Sequence, residues 1–167
     1  MDSCPRRSHC DSPGKSHSDG ANLAVVSQVA VAPDVFTMPP EEPQLIGSRC
    51  EDCDAITFPV YPACPRCGAT SMSRMLLPRR GTLVSWTTQE FLPKEPYAGG
   101  ETEKTFRPYG VGLVQLTDLV RVEARLTEAD PDALTFGMEV ETVLVPLRTQ
   151  DDGTEVLMHA FAPVKEG

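Results

Sequence analysis

The sequence predicts a mainly β fold in two parts, a small cysteine-rich ribbon followed by a five-stranded barrel of the OB-fold type. Three observations carry this prediction. Four cysteines form two close pairs between residues 50 and 67, five segments after Gly81 have strand composition, and no long amphipathic helical pattern follows Gly81. Short strands without crossover helices favour a small closed or partly closed barrel.

Length and charge limit what the chain can be. Its 167 residues and 18.2 kDa suit one ordinary domain or two very small ones. A net charge of -9 makes nucleic acid and anionic membrane surfaces poor partners. No apolar run reaches the ~18 residues of a membrane span. The apolar run at residues 21–34 lacks the preceding positive region of a signal peptide, so we expect a cytoplasmic protein.

Residues 1–43 are predicted to be a disordered tail followed by a proline-rich linker. Residues 1–20 are dominated by Ser, Asp, Gly, Pro and His, with too little apolar surface to offset the entropy of ordering. Residues 33–43, PDVFTMPPEEP, contain four prolines, which favour an extended linker. The tail also contains four metal-binding side chains whose spacing fits no compact finger, and we interpret them as incidental: Cys4, His9, Cys10 and His17.

The paired cysteines predict a rubredoxin-like zinc ribbon over residues 44–79. Two C-x2-C pairs are separated by ten residues and consist of Cys50, Cys53, Cys64 and Cys67. A two-residue spacing lets one tight turn aim both sulfurs at a single point, and two such turns complete a tetrahedral thiolate site. Gly68 follows the second pair, where a left-handed backbone is often needed. Between the pairs, AITFPVYPA is expected to form a short strand pair that buries Phe58 or Tyr61.

Other uses of four cysteines stay open at this point. An iron site has the same four-thiolate geometry, and a redox C-x-x-C pair or two disulfides would need the same residues. Redox use is disfavoured because one pair would suffice and no strand-helix unit of the thioredoxin type follows. Four thiolates saturate zinc and leave no position for water or substrate, so we expect the metal to be structural.

Residues 80–165 are predicted to form the barrel. The five strand-like segments are GTLVSWTTQEF, YGVGLVQL, VRVEARL, MEVETVLVPL and VLMHAFAPV. The third alternates most clearly, because Val120, Val122, Ala124 and Leu126 share one face while charged residues occupy the other. It therefore predicts a strand with one face in solvent.

The folded part of the chain offers no obvious catalytic set. His159 has no partner in the sequence, and we interpret it as an edge or wet-face strand residue. Glu123, Glu139 and Glu141 alternate along strands as solvated carboxylates do. Neither common glycine-rich phosphate loop is present. The sequence thus favours a subunit over a self-sufficient enzyme.

Basic residues are concentrated in two places despite the acidic total. Arg66, Arg74, Arg79 and Arg80 surround the junction of ribbon and barrel, while Lys94, Lys104 and Arg107 lie in the long loop after the first barrel strand. Solvated charge explains both groups, and contact with a phosphate or an acidic partner is the alternative. Long loops often carry binding residues, which keeps that alternative open.

The quoted motifs resemble the OB-fold and zinc-ribbon family of acyl-CoA-associated proteins, first catalogued as a domain of unknown function. The similar stretches span about residues 44–165 and are GSRCEDCDAITFPVYPACPRCGA, RRGTLVSWTT, RPYGVGLVQL, FGMEVETVLVPL and FAPV. A ribbon alone is unspecific, but its combination with G-T-x-x-S-x-T, P-Y-x-x-x-x-V-x-L and G-M-x-V is not. Relatives commonly have E-G-x-R where this chain has TDLVR, which puts a tight turn at that position in doubt.

The resemblance implies a non-catalytic partner of thiolase-fold enzymes: thiolases, hydroxymethylglutaryl-CoA synthase, acyltransferases and the aldolases that release steroid side chains. Such partners stabilise the enzyme, complete its acyl-CoA site or pass acyl-CoA between sites, within a hetero-oligomer. The four cysteines match the family's zinc ligands. The candidate contacts with the partner or with CoA phosphates are Arg79, Arg80, Lys94, Arg107 and Tyr109.

The rival hypothesis is a single-stranded nucleic-acid-binding module, because a ribbon joined to an OB-fold is also common in such proteins. They combine a basic groove with stacking aromatic residues. Here only 6% of residues are aromatic and the wet strand faces carry mainly acids. We therefore expect a protein partner and no nucleic acid.

Overall fold

The computed structural model describes residues 26–164, and every regular element in that range is a β-strand. No helix there is long and apolar enough to cross a membrane. Nine strands follow in chain order: β1 Gln28–Ala30, β2 Ile46–Cys50, β3 Ile56–Thr57, β4 Met72–Leu76, β5 Arg80–Gln89, β6 Tyr109–Thr117, β7 Val120–Leu126, β8 Glu139–Thr149 and β9 Glu155–Pro163. The mainly β prediction is confirmed.

Strands β5 to β9 close into the predicted five-stranded barrel. β6 pairs antiparallel with β5 and β7, β8 pairs antiparallel with β5 and β9, and a parallel pairing of β7 with β9 closes the circle. The closing contact is short, because only Arg125 and Leu126 pair with β9 there. Register shifts in the β5–β6, β6–β7 and β8–β9 pairings mark the bulges that bend strands around a small barrel.

Alternating residues fill the barrel interior. The predicted inner residues of β7, from Val120 to Leu126, are all buried, and Leu83, Val114, Val140 and Phe161 meet them from the other strands. Position 112 of β6 requires a glycine, because a Cβ atom there would come within 2.8 Å of the Leu83 and Leu126 side chains. The two-residue period read from the sequence therefore identified the buried face correctly.

The ribbon is a three-stranded antiparallel sheet in the order β3-β2-β4. Ser48 and Thr57 are buried on the β2–β3 pair, and their hydroxyl oxygens lie 2.8 Å apart in a hydrogen bond. The segment between the cysteine pairs forms one two-residue strand that pairs with β2, not a strand pair of its own. Phe58 packs against the core, whereas Tyr61 is exposed.

The chain before the ribbon differs from the predicted linker where the structure describes it. β1 pairs in parallel with β9, and the Val31 amide donates to the Leu157 carbonyl at 2.7 Å. Phe36 is 4% exposed and lies in the same core cluster as the barrel residues. Prolines exclude a helix, but they leave an apolar side chain between them free to bury itself. The predicted tail over residues 1–20, including the four incidental ligands, lies outside the described residues.

Ribbon and barrel share one core. Leu45 and Leu77 flank the ribbon sheet, are fully buried, and belong to the cluster that contains the barrel's inner residues. The Leu77 amide donates to the Leu45 carbonyl at 2.9 Å. The predicted division between residues 79 and 80 stays a prediction, since the packing is continuous across it.

The prediction for His159 is wrong, because its side chain is not on a wet face or at an edge. His159 lies two residues before Phe161 on β9 and shares its face, with ring centroids 5.8 Å from Phe36 and 5.7 Å from Phe58. Its Nδ1 is buried and has no hydrogen-bond partner among the described residues. The segment VLMHAF is apolar on both faces, so alternation could not assign the histidine to one of them.

Burial of His159 predicts a stability loss on acidification. Burial lowers the pKa of His159 below 6.5, so the unfolded chain takes up a proton that the folded chain excludes. The contribution of the neutral His159 imidazole to the free energy of unfolding is fully present above pH 6.5. It is lost as the pH falls below 6.5, by at most about 1.4 kcal/mol per pH unit. Urea unfolding at about pH 7.5 and about pH 5.5 should show a larger drop for the wild type than for His159→Phe.

The comparison with the variant separates this effect from acid release of a metal. Protonation of the cysteines affects both proteins, whereas only the wild type has an imidazole at position 159. Equal drops in the free energy of unfolding for the two proteins would contradict the prediction.

Candidate metal centre and adjoining surfaces

The four predicted ligands converge at the tip of the ribbon. The sulfurs of Cys50, Cys53, Cys64 and Cys67 all lie within 4.8 Å of one another, and the pairs Cys50–Cys67 and Cys53–Cys64 are separated by 3.6 Å. A tetrahedron with zinc-sulfur bonds of about 2.3 Å has sulfur-sulfur edges of about 3.8 Å. The donor set and its spacing therefore fit one four-coordinate metal ion.

The same distances argue against disulfides. A disulfide bond is about 2.05 Å long, far shorter than 3.6 Å, and all four cysteines are free. Both 3.6 Å contacts join one cysteine from each pair, so all four sulfurs form one group and not two separate C-x-x-C couples.

Two equivalent turns aim the sulfurs. In the first, the Cys50 amide donates to the Ala55 carbonyl and the Asp54 amide to the Cys50 carbonyl, and in the second Cys64 and Gly68 repeat both bonds. Asp54 and Gly68 occupy matching positions with φ of 60° and 79°. The left-handed backbone predicted at Gly68 is confirmed. Asp54 tolerates the same conformation, and its carboxylate pairs with Arg49 at 2.7 Å.

The electrostatics of the site favour a bound cation. The amide of Cys67, followed by that of Arg66, lowers the pKa of the Cys64 thiol from 9.0 to about 7. At Cys67 the Ala69 amide also lowers the pKa, but the neighbouring Cys53 sulfur and desolvation outweigh it and raise the pKa to about 12. Four thiolates this close repel one another, and a divalent cation removes that repulsion.

A matched pair of substitutions tests the turn geometry. Gly68→Ala places a side chain on a left-handed backbone, and we expect it to lower the free energy of unfolding by about 1–2 kcal/mol. Asp54→Gly at the equivalent position relieves that strain but loses the exposed ion pair with Arg49, so its effect should be within about 0.5 kcal/mol. Chemical unfolding of the zinc-loaded proteins measures both, and equal effects would exclude strain as the cause.

The five predicted contact residues do not form one cluster. Arg79 and Arg80 stand at the start of β5, whereas Tyr109 pairs with Gln89 at its end, about 30 Å away along the strand. Lys94 and Arg107 are exposed in the loop between β5 and β6. The structure thus separates an arginine pair at the ribbon-barrel junction from a group around Tyr109.

The arginine pair is already matched by carboxylates. Arg79 contacts Glu42 at 2.8 Å and Glu141 at 3.4 Å, and Arg80 contacts Glu139 at 3.3 Å. Arg79 is half-buried, and its carbonyl accepts a hydrogen bond from the Thr142 amide. It therefore ties the segment before the ribbon to β8, so a phosphate there would have to compete with two carboxylates.

The charged face of β7 predicts a solvated Arg125, whereas the structure half-buries this side chain. The Arg125 guanidinium lies 4.3 Å from the centroid of the Tyr109 ring, and Phe106 packs against the same ring from the loop. Arg125 is half-buried and has no carboxylate within ion-pair distance among residues 26–164. Arg125 pairs with Val111, two residues after Tyr109, and this register, which no local sequence pattern specifies, brings the two side chains together.

Family comparisons match both parts of the chain. The model for the ChsH2 rubredoxin-like zinc ribbon domain covers residues 39–73, and the model for the ChsH2 C-terminal OB-fold domain covers residues 76–145. The fold and the order of its two parts are therefore as the sequence predicted.

Relatives and a solved structure match along most of the chain. A DUF35 domain-containing scaffold protein of Pyrococcus furiosus is 34% identical over 74% of this chain and 86% of its own length. The benzoylsuccinyl-CoA thiolase subunit BbsA of Thauera aromatica is 29% identical over 79% of this chain and 86% of its own. A chain of the structure titled Ltp2-ChsH2(DUF35) aldolase superposes with a TM-score of 0.53 at 25% identity, over 72% of this chain and 84% of that one. The chain therefore belongs to the DUF35 family of scaffold proteins, built from a ChsH2-type zinc ribbon and OB-fold domain.

Proposed function

We propose that this chain is a non-catalytic accessory subunit that binds a thiolase-fold enzyme and stabilises it or completes its acyl-CoA site. The observation that carries the proposal is the match to a thiolase subunit over 79% of this chain and 86% of that subunit. The structural likeness to a chain of the Ltp2-ChsH2(DUF35) aldolase supports it, because that aldolase also includes a DUF35 component. The partner is a thiolase, acyltransferase, synthase or steroid side-chain aldolase, and the assembly is a hetero-oligomer.

The chemistry of the described residues supports a subunit without its own active site. His159 is the only histidine between residues 26 and 164, and its ring lies between two phenylalanines with no carboxylate or nucleophile bonded to it. The cysteines there are the four at the ribbon tip, where a tetrahedral ion leaves no coordination position open. Among residues 26–164, therefore, no histidine or cysteine is placed to act as base or nucleophile in acyl transfer.

The metal of the ribbon is proposed to be structural zinc. Cys50, Cys53, Cys64 and Cys67 would hold it, and its role would be to fix the two turns and the short strand β3 between them. Iron fits the same thiolates, so metal analysis by mass spectrometry of the purified chain decides between them. A reduced four-cysteine site also supports a cytoplasmic location.

Acyl-CoA is proposed to lie at the shared interface, near the end of β5 that carries the long loop. Lys94, Arg107 and Tyr109 remain the candidate contacts, whereas Arg79 and Arg80 are better explained as pairing with their carboxylates. Lys94→Ala with Arg107→Ala should raise the complex's KM for acyl-CoA without changing how much partner co-purifies. Arg66→Ala, an exposed change in the ribbon, is the control.

Co-purification is the direct test. Tagged full-length chain is captured from its native lysate, and the eluate is analysed by protein mass spectrometry and for zinc. We expect a thiolase-fold protein in stoichiometric amount, and acyl-CoA turnover by the complex but not by the isolated chain. Turnover by the chain alone, or a capture without any thiolase-fold protein, would refute the proposal. A salt-sensitive shift of a labelled oligonucleotide would instead support the nucleic-acid hypothesis.

A further inference from the structure

Two adjoining hollows on the outer face of the barrel share Tyr109 and Arg125. The first, which we call the threonine hollow, has a volume of about 240 Å³ and is lined also by Thr127, Pro108 and Val145. The second, the methionine hollow, measures about 180 Å³ and includes Met158 and Leu147. Together they approach the size and mixed lining of a small-molecule site, in which a few polar groups are set among apolar ones.

Charge distinguishes the two hollows. The lining of the threonine hollow includes no carboxylate, and its polar side chains are Arg125, Tyr109 and Thr127. The methionine hollow is mainly apolar, but it is also lined by Glu123 and by Tyr97, whose hydroxyl donates to the Glu101 carboxylate at 2.9 Å. Burial raises the pKa of Tyr109, so its hydroxyl stays protonated and can donate a hydrogen bond.

Arg125 is the group that selects a ligand. Of the two half-buried arginines among residues 26–164, Arg79 is matched by two carboxylates, whereas Arg125 has none. Stacking on Tyr109 fixes the plane of its guanidinium and leaves the edge donors available. A planar fork of N–H donors beside an apolar slot is complementary to a carboxylate with an apolar tail.

We propose that these hollows bind a small monocarboxylate, with its head between Arg125 and Thr127 and its apolar tail across Tyr109 toward Met158. The site does not depend on the proposed subunit role, because every residue in it belongs to this chain. Glu123 would stay beside the tail and oppose a second anionic group there, which favours a monocarboxylate over a dicarboxylate.

Calorimetric titration of the purified, zinc-loaded full chain with octanoate and with octanamide tests the proposal. The two probes share an apolar tail and differ in the head, which is an anionic carboxylate in octanoate and a neutral amide in octanamide. We expect saturable binding of octanoate, and octanamide weaker by about tenfold or more, as for loss of a charge-assisted hydrogen bond. Equal affinities, or no saturable binding of octanoate, would overturn the proposal.

Variants on β7 supply the matched controls. Arg125→Gln should weaken octanoate by about tenfold or more, and Arg125→Lys, which keeps the charge without the fork, should lie between it and the wild type. Arg121→Gln alters an arginine on the same strand face that is bonded to Gln115 and lies outside both hollows, so affinity should stay within about twofold. Unchanged affinity in Arg125→Gln would overturn the assignment. Binding of a peptide that ends in an apolar residue, without any binding of octanoate, would also overturn the proposal of a small monocarboxylate.

Discussion

Replacing Cys53 with serine is expected to release the metal and unfold the ribbon. Binding free energy of order 10 kcal/mol supports folding in small zinc modules, and a serine hydroxyl is a poor substitute for a thiolate ligand. Cys53 lies 3.6 Å from Cys64 of the other turn, so its loss also breaks the link between the two turns. Thr70→Ala, an exposed change in the same ribbon, is the control and should leave zinc content unchanged.

The position of the single tryptophan separates the two effects of Cys53→Ser. Trp86 lies on β5 and packs against the core, so its fluorescence reports on the barrel while metal analysis reports on the ribbon. Phe58 of the ribbon contacts His159 of the barrel, and loss of that packing should lower the midpoint of the Trp86 transition as well. Zinc content and melting curves equal to those of the wild type would contradict the structural role of the site.

The metal site could be predicted from the sequence because its information is local. Two C-x2-C pairs determine which residues bind, and the turn around each pair needs only the hydrogen bonds of its own backbone. For the same reason, the left-handed backbone at Gly68 could be predicted from the residues of its own turn. Asp54 adopts the same conformation in the first cysteine turn. Each turn is closed by hydrogen bonds between residues within one short stretch, so its geometry could be read from that stretch alone.

The barrel strands were predictable for a related reason. Half-buried strands alternate, and β7 shows the pattern without interruption. β9 is buried on both sides over much of its length, from Val156 and Leu157 to Ala160 and Phe161, so its sequence shows no period. The apolar composition of VLMHAFAPV therefore located β9, but without alternation the sequence could not show that His159 faces Phe36 and Phe58.

Long-range contacts account for the remaining differences. β1 pairs with Glu155–Leu157, and Arg125 contacts Tyr109 of the neighbouring strand. The sequence around these residues contains no pattern that predicts either contact. Charge on a strand face usually means solvent, but here the Arg125 guanidinium lies over the Tyr109 ring, which packs against Phe106 of the loop. Composition likewise described residues 33–43 as a linker, because a single phenylalanine among prolines does not change an average.

Replacing Phe36 with alanine tests that correction, and we expect the free energy of unfolding to fall by about 3–5 kcal/mol. Phe36 is 4% exposed, belongs to the common core, and lies 5.8 Å from the His159 ring. A linker residue would cost almost nothing on truncation, so the two descriptions of this segment predict different results. Urea unfolding followed by Trp86 fluorescence measures the change in the barrel itself.

Val31→Ala is the control, because Val31 lies shortly before Phe36 in the chain ahead of the ribbon and is 42% exposed. Its truncation should cost less than about 1 kcal/mol, since little apolar area leaves or enters water. Similarly small losses in the free energy of unfolding for both variants would support the prediction that residues 33–43 are a linker. A large loss for Phe36→Ala alone would show that Phe36 stabilises the core that the ribbon and the barrel share. Removing residues 33–43 should then lower the stability of both the ribbon and the barrel.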